Sequence, residues 1–248
     1  MYEHDSIKPF EGAEGSKKEQ VATMFDQIAH RYDFLNRFLS AGIDVSWRKK
    51  AIRELKTVKP KYILDVATGT ADVAILTYQL LQPKPEKIAG IDISDGMLEL
   101  GRKKLKERNL DPFITLYNGD SEAINFPDNT FDAITVAFGV RNFANLEKGL
   151  SEMLRVLKPG GKLVILEFSK PTLPGIKGFY NLYTRMIAPK AGKVIARNEA
   201  AYKYLNDSIQ AFPEGKRFVS IMEKCGYAHC YKKALSLGIC TIYCGSKL

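Results

Sequence analysis

Three acidic residues surround a short glycine-containing turn. Asp65 lies before the turn and Asp72 after it in LDVATGTAD at 64–72, and Asp92 ends the apolar part of IAGIDIS at 88–94. An apolar run, a glycine turn, a helix and a second strand that ends in an acid form the opening of a nucleotide-binding βαβ unit. The acid that ends the second strand is placed to accept hydrogen bonds from both hydroxyls of a ribose.

The charges around the turn favour a cationic ligand over a dinucleotide. A dinucleotide would lay its pyrophosphate on the helix N-terminus, where Asp65 and Asp72 would repel it. The turn also lacks the second and third glycines of G-x-G-x-x-G. S-adenosylmethionine has an adenosine for Asp92 but carries an ammonium and a sulfonium in place of phosphates. We therefore predict that the turn binds S-adenosylmethionine, with an ordinary strand-to-helix connection as the alternative.

The elements that must position these residues alternate between strand and helix. The predicted strands are 62–66, 87–93, 113–117, 132–138 and 162–168. The predicted helices between them are 72–81, 95–108 and 145–157, the last of which ends at the Pro159-Gly160-Gly161 turn. This alternation predicts an α/β fold with a largely parallel sheet and helices on both faces.

The segments on either side of this core complete the predicted fold. Residues 1–16 are polar and are expected to form a loose arm. Apolar residues then recur at helical spacing from Lys17, which predicts an amphipathic helix or helix pair, and a second helix is expected over 45–55. A last helix is expected at 215–225. An antiparallel hairpin with strands at 228–234 and 238–244 brings the predicted sheet to seven strands.

The bulk composition fits one globular domain. At 248 residues, with 45% hydrophobic and 26% charged residues, the chain can bury a sizeable core. No apolar run approaches the ~18 residues that span a bilayer, and the N-terminus has no signal-peptide hydrophobic region, so a cytoplasmic location is expected. The net charge of +9 indicates an acidic partner, either nucleic acid or the anionic face of a membrane.

The cysteines do not form a convincing metal site. They are Cys225, Cys230, Cys240 and Cys244. Zinc sites usually pair their ligands as C-x2-C in turns, whereas the last two cysteines lie in the apolar run GICTIYC, where cysteine acts as a small buried hydrophobe. We therefore expect neither a metal nor a disulfide in this chain.

Polar residues follow the ends of the predicted strands, where open parallel sheets bind their ligands. Gly69 and Thr70 follow the first strand, and Thr70 is expected either to donate to the carboxylate of methionine or to cap the next helix. Asp120 and Ser121 follow the third strand, where they are expected to bind the amino group of adenine. A turn-capping Asp120 is the alternative.

The fourth strand ends in AFGVRN, the region in which classes of methyltransferase differ. It contains neither the Asn/Asp-Pro-Pro-aromatic loop of exocyclic amino methylation nor the Pro-Cys nucleophile of cytosine C5 methylation. Arg141 and Asn142 instead offer donors where the oxygen of an acceptor would lie. Such donors suit a phenolate whose charge must be held while its ortho carbon attacks the methyl group. A salt-bridged, structural Arg141 is the alternative.

A basic and aromatic segment follows the fifth strand. Residues 170–203 contain many lysines, arginines and aromatic residues but a single acid, Glu199. This segment is predicted to be an inserted lid that holds the protein reversibly on an anionic membrane surface. A solvated charged face is the alternative.

Four separated blocks resemble one known family. HRYDFLNRFLSAGIDVSWRKK at 30–50 is similar to the first signature of the menaquinone/ubiquinone biosynthesis C-methyltransferases, and RVLKPGGKLVILEFSKP at 155–171 is similar to their second. DNTFDAITVAFGVRN at 128–142 and SLGICTIYCGSK at 236–247 also resemble the family. The resemblance implies a class I, Rossmann-like methyltransferase fold, S-adenosylmethionine as the donor and a polyprenylated quinol as the acceptor.

The resemblance also implies roles for single residues. By the family pattern the donor-binding positions are Thr70, Asp92, Asp120 and Ser121, beside Asp65 and Gly69 in the turn. The quinol ring is expected to lie between the loop after strand four and the region of Tyr32 and Asn36. A water ordered by Arg141 and Asn142 is the first candidate to take the acceptor proton, and His30 is a weaker one.

Departures from the family pattern fall at four positions. Ala71 replaces a glycine and is expected to crowd the methionine part of the donor. Ala137 replaces a serine before the strand-four Phe-Gly, so that only its backbone can serve the donor. Leu35 replaces a methionine without consequence, and Asp44 replaces a histidine, which argues against a base at that position.

The predicted function is S-adenosylmethionine-dependent C-methylation of demethylmenaquinol in respiratory quinone synthesis. Methylation of a benzoquinol intermediate of ubiquinone synthesis is the alternative, followed by methylation of RNA, although no nucleic acid partner is expected. A scaffold without enzymatic activity is a further alternative. The single domain, 1–248, is expected to have four parts. They are a helical cap (1–56), a donor-binding core (57–169), a basic and aromatic lid (170–212), and a closing helix and hairpin (213–248).

Overall fold

The computed structural model describes residues 2–10, 12–40, 42–171 and 199–248, and for Leu35, Asn36, Phe38, Leu39, Glu199 and Tyr202 it describes the backbone alone. The helices of this part of the chain are α1 (Glu3–Ser6), α2 (Lys17–Leu39), α3 (Ile43–Arg53), α4 (Asp72–Leu80), α5 (Asp95–Glu107), α6 (Leu146–Val156), α7 (Glu199–Ala211) and α8 (Lys216–Lys224). The strands are β1 (Tyr62–Val66), β2 (Lys87–Asp92), β3 (Ile114–Asn118), β4 (Phe131–Ala137), β5 (Leu157–Phe168), β6 (Ala228–Leu235) and β7 (Cys240–Ser246).

These strands form one sheet in the order β3-β2-β1-β4-β5-β7-β6. The first five strands pair in parallel, and β7 runs antiparallel to both β5 and β6. The strand order reverses between β1 and β4, which places a ligand crevice at the carboxyl ends of these two strands. The predicted seven-stranded, mostly parallel sheet with an antiparallel C-terminal hairpin is confirmed.

Helices cover both faces of the sheet, as the sequence predicts. One hydrophobic cluster packs α3, α4 and α5 against the sheet through residues such as Trp47, Ile75 and Leu98. A second cluster packs α6 and α8 on the sheet through Met153 and Phe218. Because both faces are covered, the central strands are apolar along nearly their whole length.

Polar side chains cap the N-termini of two of these helices. The hydroxyl of Ser94 accepts from the backbone N–H of Met97 at 3.2 Å and begins α5. The side chain of Asn145 accepts from the N–H of Lys148 at 3.0 Å and begins α6. These caps fix where each helix starts, and so they fix the loops that lead into the helices from β2 and β4.

The start of β5 differs from the prediction. The strand begins at Leu157, directly after α6, and not after the glycine turn. Leu157 pairs with Phe131 of β4, and the register then shifts before Ala133 pairs with Lys162. The Pro-Gly-Gly sequence is therefore an irregularity within the strand, because the backbone of Leu157 already finds a partner in the sheet.

The N-terminal residues also differ from the expected loose arm. Helix α1 buries the ring of His4 completely, with its centroid 5.4 Å from that of Phe212. The hydroxyl of Tyr2 donates to Glu147 at 2.6 Å. The arm is held by this ring contact and this hydrogen bond, whose partners lie far away in sequence and give no local signal.

Three further predictions concern the first long helix, the lid and the absence of a membrane-spanning segment. Helix α2 is a single helix, not a pair. Most of the predicted lid, 172–198, lies outside the described residues, and α7 forms its last part. In the described part of the chain, no helix is both long and apolar enough to cross a membrane.

Candidate functional site

The loops after β1, β2, β3 and β4 border a cleft at the crevice between the carboxyl ends of the strands. Helix α2 faces these loops across the cleft with Lys18, Val21 and Phe25. Seven of the residues predicted from sequence line this cleft: Tyr32, Gly69, Asp92, Asp120, Ser121, Ala137 and Asn142. Chain segments that are distant in sequence therefore bring these side chains to one place.

A second, smaller cavity adjoins the cleft. Its wall includes the predicted residues Asp65 and Thr70 together with Arg48 and Asp72. The cleft and the cavity share four lining residues: Tyr32, Ala67, Gly69 and Ala137. An extended ligand could occupy both spaces and pass the shared wall at its middle.

Asp92 holds the glycine turn and the start of α5 at once. One carboxylate oxygen accepts from the N–H of Gly69 at 2.8 Å, and the other accepts from the N–H of Ser94 at 3.0 Å. Burial raises the pKa of Asp92 to about 6. Each oxygen keeps a further lone pair, so the carboxylate can still accept from two hydroxyl groups of a ligand.

Asp65 is 1% exposed and is held by two hydroxyls. Thr68 and Thr135 each donate to one of its oxygens at 2.6 Å. Burial raises the pKa of Asp65 to about 6, although both hydrogen bonds oppose the shift. The side chain therefore supplies a negative charge to the smaller cavity from within the sheet.

Asp120 pairs with a lysine that the sequence did not single out. The ammonium of Lys18 lies 2.6 Å from Asp120 and 2.8 Å from Glu122. Burial opposes the charge of Lys18, but these two acids raise its pKa above the usual value. The second oxygen of Asp120 accepts from the N–H of Glu122 at 2.8 Å, as the turn-capping alternative requires. Both proposed roles of Asp120 therefore stay open in this geometry.

Thr70 is 2% exposed and joins three elements. Its hydroxyl donates to Asp33 of α2 at 2.6 Å and accepts from Lys104 of α5 at 2.8 Å. Lys104 also pairs with Asp33 and Asp72. This network holds α2 over the glycine turn, and it uses the one proton of the Thr70 hydroxyl within the protein.

Arg141 does not line the cleft or the smaller cavity. Its guanidinium pairs at 2.8 Å with Glu167, whose side chain is 0% exposed, and it donates to the carbonyl of Phe138. Burial raises the pKa of Glu167, although Arg141 opposes the shift. The geometry matches the salt-bridged alternative, since the charge of Arg141 holds the loop after β4 against the end of β5.

Asn142 lies in the cleft wall, and its amide is oriented by a tyrosine. The hydroxyl of Tyr204 on α7 donates to Oδ1 of Asn142 at 3.1 Å. Burial raises the pKa of Tyr204, so its phenol stays protonated and can donate. Because Oδ1 already accepts this hydrogen bond, the NH₂ group is the part of the amide that can donate to a ligand.

The residues predicted on α2 are only partly described. The ring of Tyr32 lines both spaces and packs edge-on against Phe25, with the ring centroids 5.8 Å apart. Asn36 lies one helical turn further along α2, but its side chain is outside the described part of the structure. His30 is exposed and is not among the residues that line the cleft.

The two alanines that depart from the family pattern have different surroundings. Ala137 lines both spaces. Ala71 does not crowd the ligand space, because its methyl group is fully buried in the core beneath α4. Its backbone has a φ of 66°, in the left-handed region that favours glycine. The substitution therefore acts on the conformation of the turn and leaves the lining of the cleft unchanged.

Lys18, Arg48, Glu122 and Glu167 are site residues that sequence reasoning missed. Glu122 bridges two loops, because its second oxygen accepts from the N–H groups of Ala144 and Asn145. Glu167 carried a usable signal, since it is the only acid of β5 and lies directly before the last residue of that strand. Lys18 and Arg48 carried no such signal, because each lies in a helix among other cations.

Two glycines of the cleft wall should respond differently to substitution. A Cβ at Gly139 would lie 2.6 Å from the Cβ of Ala67, whereas a Cβ at Gly119 would meet Ile91 at an ordinary 3.5 Å. Gly139→Ala is therefore expected to lower the free energy of unfolding by about 1–3 kcal/mol through overpacking. Gly119→Ala is the control and should change it by less than ~0.5 kcal/mol. Urea unfolding measures both, and equal effects would contradict the close approach.

Comparison with known proteins identifies relatives along nearly the whole chain. Residues 13–247 match the model of the ubiE/COQ5 methyltransferase family. A demethylmenaquinone methyltransferase of Bacteroides fragilis is 47% identical over 246 residues, which cover 99% of each chain. A ubiquinone/menaquinone biosynthesis C-methyltransferase of Geobacter sulfurreducens is 44% identical over 93% of this chain and 90% of its own.

Among solved structures, an S-adenosylmethionine-dependent methyltransferase of Thermotoga maritima, described as a possible histamine N-methyltransferase, has a similar fold. Its TM-score is 0.64 at 17% identity, and the alignment covers 92% of this chain and 99% of that one. At this identity the likeness concerns the fold alone. It confirms the predicted class I methyltransferase architecture.

Proposed function

Because the chain belongs to the ubiE/COQ5 methyltransferase family, we propose that it transfers a methyl group from S-adenosylmethionine to a ring carbon of demethylmenaquinol, forming menaquinol. The 47% identity to a relative named demethylmenaquinone methyltransferase supports this acceptor. The structural observation that carries the proposal is the junction of the two spaces at Ala67, Gly69 and Ala137. Acids on both sides of this junction suit a ligand with positive charge at its centre.

The donor is proposed to lie across both spaces. Its adenosine occupies the cleft, where Asp92 accepts from the ribose hydroxyls and Asp120 with Ser121 contacts the adenine. Its amino-acid part occupies the smaller cavity beside Asp65 and Thr70. S-adenosylmethionine supplies an electrophilic methyl group on its sulfonium. The wall shared by the two spaces then brings that group next to the loop after β4.

The acceptor is proposed to bind between this loop and α2, with its ring near Tyr32 and Asn36. Asn142 donates from its NH₂ group to the acceptor oxygen and stabilises the negative charge that develops there. Loss of the hydroxyl proton makes the ortho carbon nucleophilic. As this carbon bonds to the methyl carbon, the methyl–sulfur bond breaks and S-adenosylhomocysteine leaves, and the ring carbon then loses its hydrogen and regains aromaticity. The protein contributes much of the rate by holding the reacting carbons in line.

Arg141 is proposed to act on the acceptor through the loop that it holds. Its ion pair with Glu167 and its contact with the carbonyl of Phe138 fix the backbone that presents Asn142. A water ordered by this loop is the first candidate to take the acceptor proton.

Contact with a membrane surface is a separate part of the proposal. The basic and aromatic residues of 170–203 would attract an anionic lipid surface, on the cytoplasmic side, where a prenylated quinol resides. Co-sedimentation with phosphatidylglycerol vesicles, compared with neutral phosphatidylcholine vesicles, tests this part. Equal binding to both would contradict an electrostatic contact.

Methyl transfer from labelled S-adenosylmethionine tests the function directly. The acceptors are reduced short-chain demethylmenaquinol, its benzoquinol counterpart of ubiquinone synthesis, and bulk RNA. We expect label in the naphthoquinol product. Label in the benzoquinol alone would move the acceptor to ubiquinone synthesis. Donor binding with no label in either quinol would contradict the quinone function, and label in RNA would replace it.

Donor affinity should decrease as the pH falls through about 6. Burial raises the pKa of both Asp65 and Asp92 to about 6, and only their carboxylate forms serve a donor with hydroxyl and ammonium groups. If one proton must be displaced, affinity at pH 5 is roughly tenfold below its value at neutral pH. Calorimetric titration from pH 5 to pH 8 measures this change, and a flat profile would contradict it.

A further inference from the structure

Arg48 is a buried cation in the wall of the smaller cavity. It lies on α3, and only 6% of it is exposed. One terminal nitrogen lies 2.8 Å from Asp72, and the other lies 3.4 Å from Asp44. The Nε–H group is also buried but has no hydrogen-bond partner in the structure. A buried guanidinium N–H without an acceptor is costly and therefore uncommon.

The charges of this cavity are mixed, with an excess of acids. Asp33, Asp65 and Asp72 line it, and among the described residues of its wall Arg48 is the cation. Lys104 lies behind this wall and pairs with two of these acids. Although burial opposes its charge, Lys104 and Arg48 hold the pKa of Asp72 below the usual value, so that it stays ionised. The wall can therefore hold an ammonium at its acids while one guanidinium donor still lacks an acceptor.

An aspartate at position 44 gives Arg48 its support. Ser40 donates to Asp44 at 2.8 Å, and Asp44 pairs with Arg48 one turn further along α3. The carboxylate that replaces the expected histidine at this position thus acts as a positioning group for the guanidinium. A fixed guanidinium matches the planar geometry of a carboxylate better than a mobile ammonium does.

We propose that Arg48 binds the carboxylate of the donor's methionine part and so selects a donor with a complete amino-acid group. This inference rests on the proposed function, because it takes S-adenosylmethionine as the donor. The unpartnered Nε–H supplies the hydrogen bond, and the acids of the same cavity hold the neighbouring ammonium. Together they recognise a zwitterion at the end of the cleft opposite the adenine.

Binding of three ligands that differ in the amino-acid part tests the role of Arg48. They are S-adenosylmethionine, decarboxylated S-adenosylmethionine, which keeps the amine and the sulfonium, and 5′-methylthioadenosine, which lacks the amino-acid group. The wild type is expected to bind the first at least about tenfold more tightly than the second, because a charged hydrogen bond is at stake. Calorimetric titration measures the dissociation constants.

The variant Arg48→Gln should lose this preference selectively. Its affinity for S-adenosylmethionine is expected to fall about tenfold or more, while its affinity for methylthioadenosine stays within twofold. Arg53→Gln, an exposed arginine on the same helix, is the matched control and should change none of the three. Arg48→Lys, which keeps the charge and supports Asp44 and Asp72, should retain part of the preference.

Each other outcome overturns the proposal in a recognisable way. Equal binding of the carboxylated and decarboxylated donors by the wild type would contradict a carboxylate contact while leaving the proposed function intact. The wild-type comparison therefore decides the matter even if the glutamine variant does not fold. An equal loss of all three ligands in the folded variants would show a structural role only. Failure of the wild type to bind any of the three would overturn the donor assignment, and with it the proposed function.

Discussion

Replacing Asp92 with asparagine is expected to weaken the binding of S-adenosylmethionine by at least about 100-fold. The carboxylate accepts from the backbone of Gly69 and Ser94 and, in the proposed complex, from two ribose hydroxyls. An amide offers one oxygen only, and its NH₂ group would face a backbone N–H that needs an acceptor. Loss of two charged hydrogen bonds, at about 1.5–3 kcal/mol each, accounts for the expected size. Calorimetric titration measures the affinity.

The neighbouring Asp95 provides the control for this substitution. It lies exposed in the first turn of α5, so Asp95→Asn removes the same charge at nearly the same place without touching the cleft. Its effect on donor affinity should stay within about threefold. If Asp92→Asn also remained within threefold, the ribose assignment would be wrong.

Replacing Arg141 with methionine is expected to lower the free energy of unfolding by about 3–5 kcal/mol. The substitution leaves the carboxyl group of Glu167 buried without its cation, and breaking one side of a buried ion pair has a cost of this order. Adding Glu167→Gln to the same chain removes the unpaired charge and should restore at least half of the loss. Urea unfolding of the single and double variants measures the coupling between the two residues.

Lys224→Met is the control for this pair, because Lys224 and Glu147 form an exposed ion pair at 2.8 Å. Its cost should stay below about 1 kcal/mol. Methyl transfer by the folded double variant then separates the two roles of Arg141. Activity close to that of the wild type would restrict Arg141 to a structural role. Donor binding without methyl transfer would support its action on the acceptor through the loop.

Much of the donor site could be predicted because its residues follow from local rules. A strand that ends in an acid and a glycine turn that begins a helix fix the positions of Asp92 and Gly69 from neighbouring sequence alone. Parallel pairing then brings the ends of β1, β2, β3 and β4 together. The sequence therefore predicts both the sheet and most of the cleft wall.

The charged partners of these residues could not be predicted in the same way. Lys18 meets Asp120 across 102 positions of sequence. Arg141 was expected to face an acceptor, but the buried Glu167 on the neighbouring strand offers its guanidinium a nearer partner. The orientation of a long cation depends on which acid the fold brings close, and no local pattern encodes that choice.

Because of the buried acids in the donor site, the lifetime of the folded protein should depend on the concentration of its methyl donor. Because Asp65 has a raised pKa when folded, its stabilising contribution is complete below its ordinary pKa and is lost as the pH rises through about 6. At neutral pH the fold therefore bears the cost of a buried negative charge. A donor that binds only the folded chain would add about 2.7 kcal/mol at 100 times its dissociation constant. A cell short of methyl donor would thus expose this enzyme to proteolysis, and quinone synthesis would slow through enzyme abundance as well as through substrate.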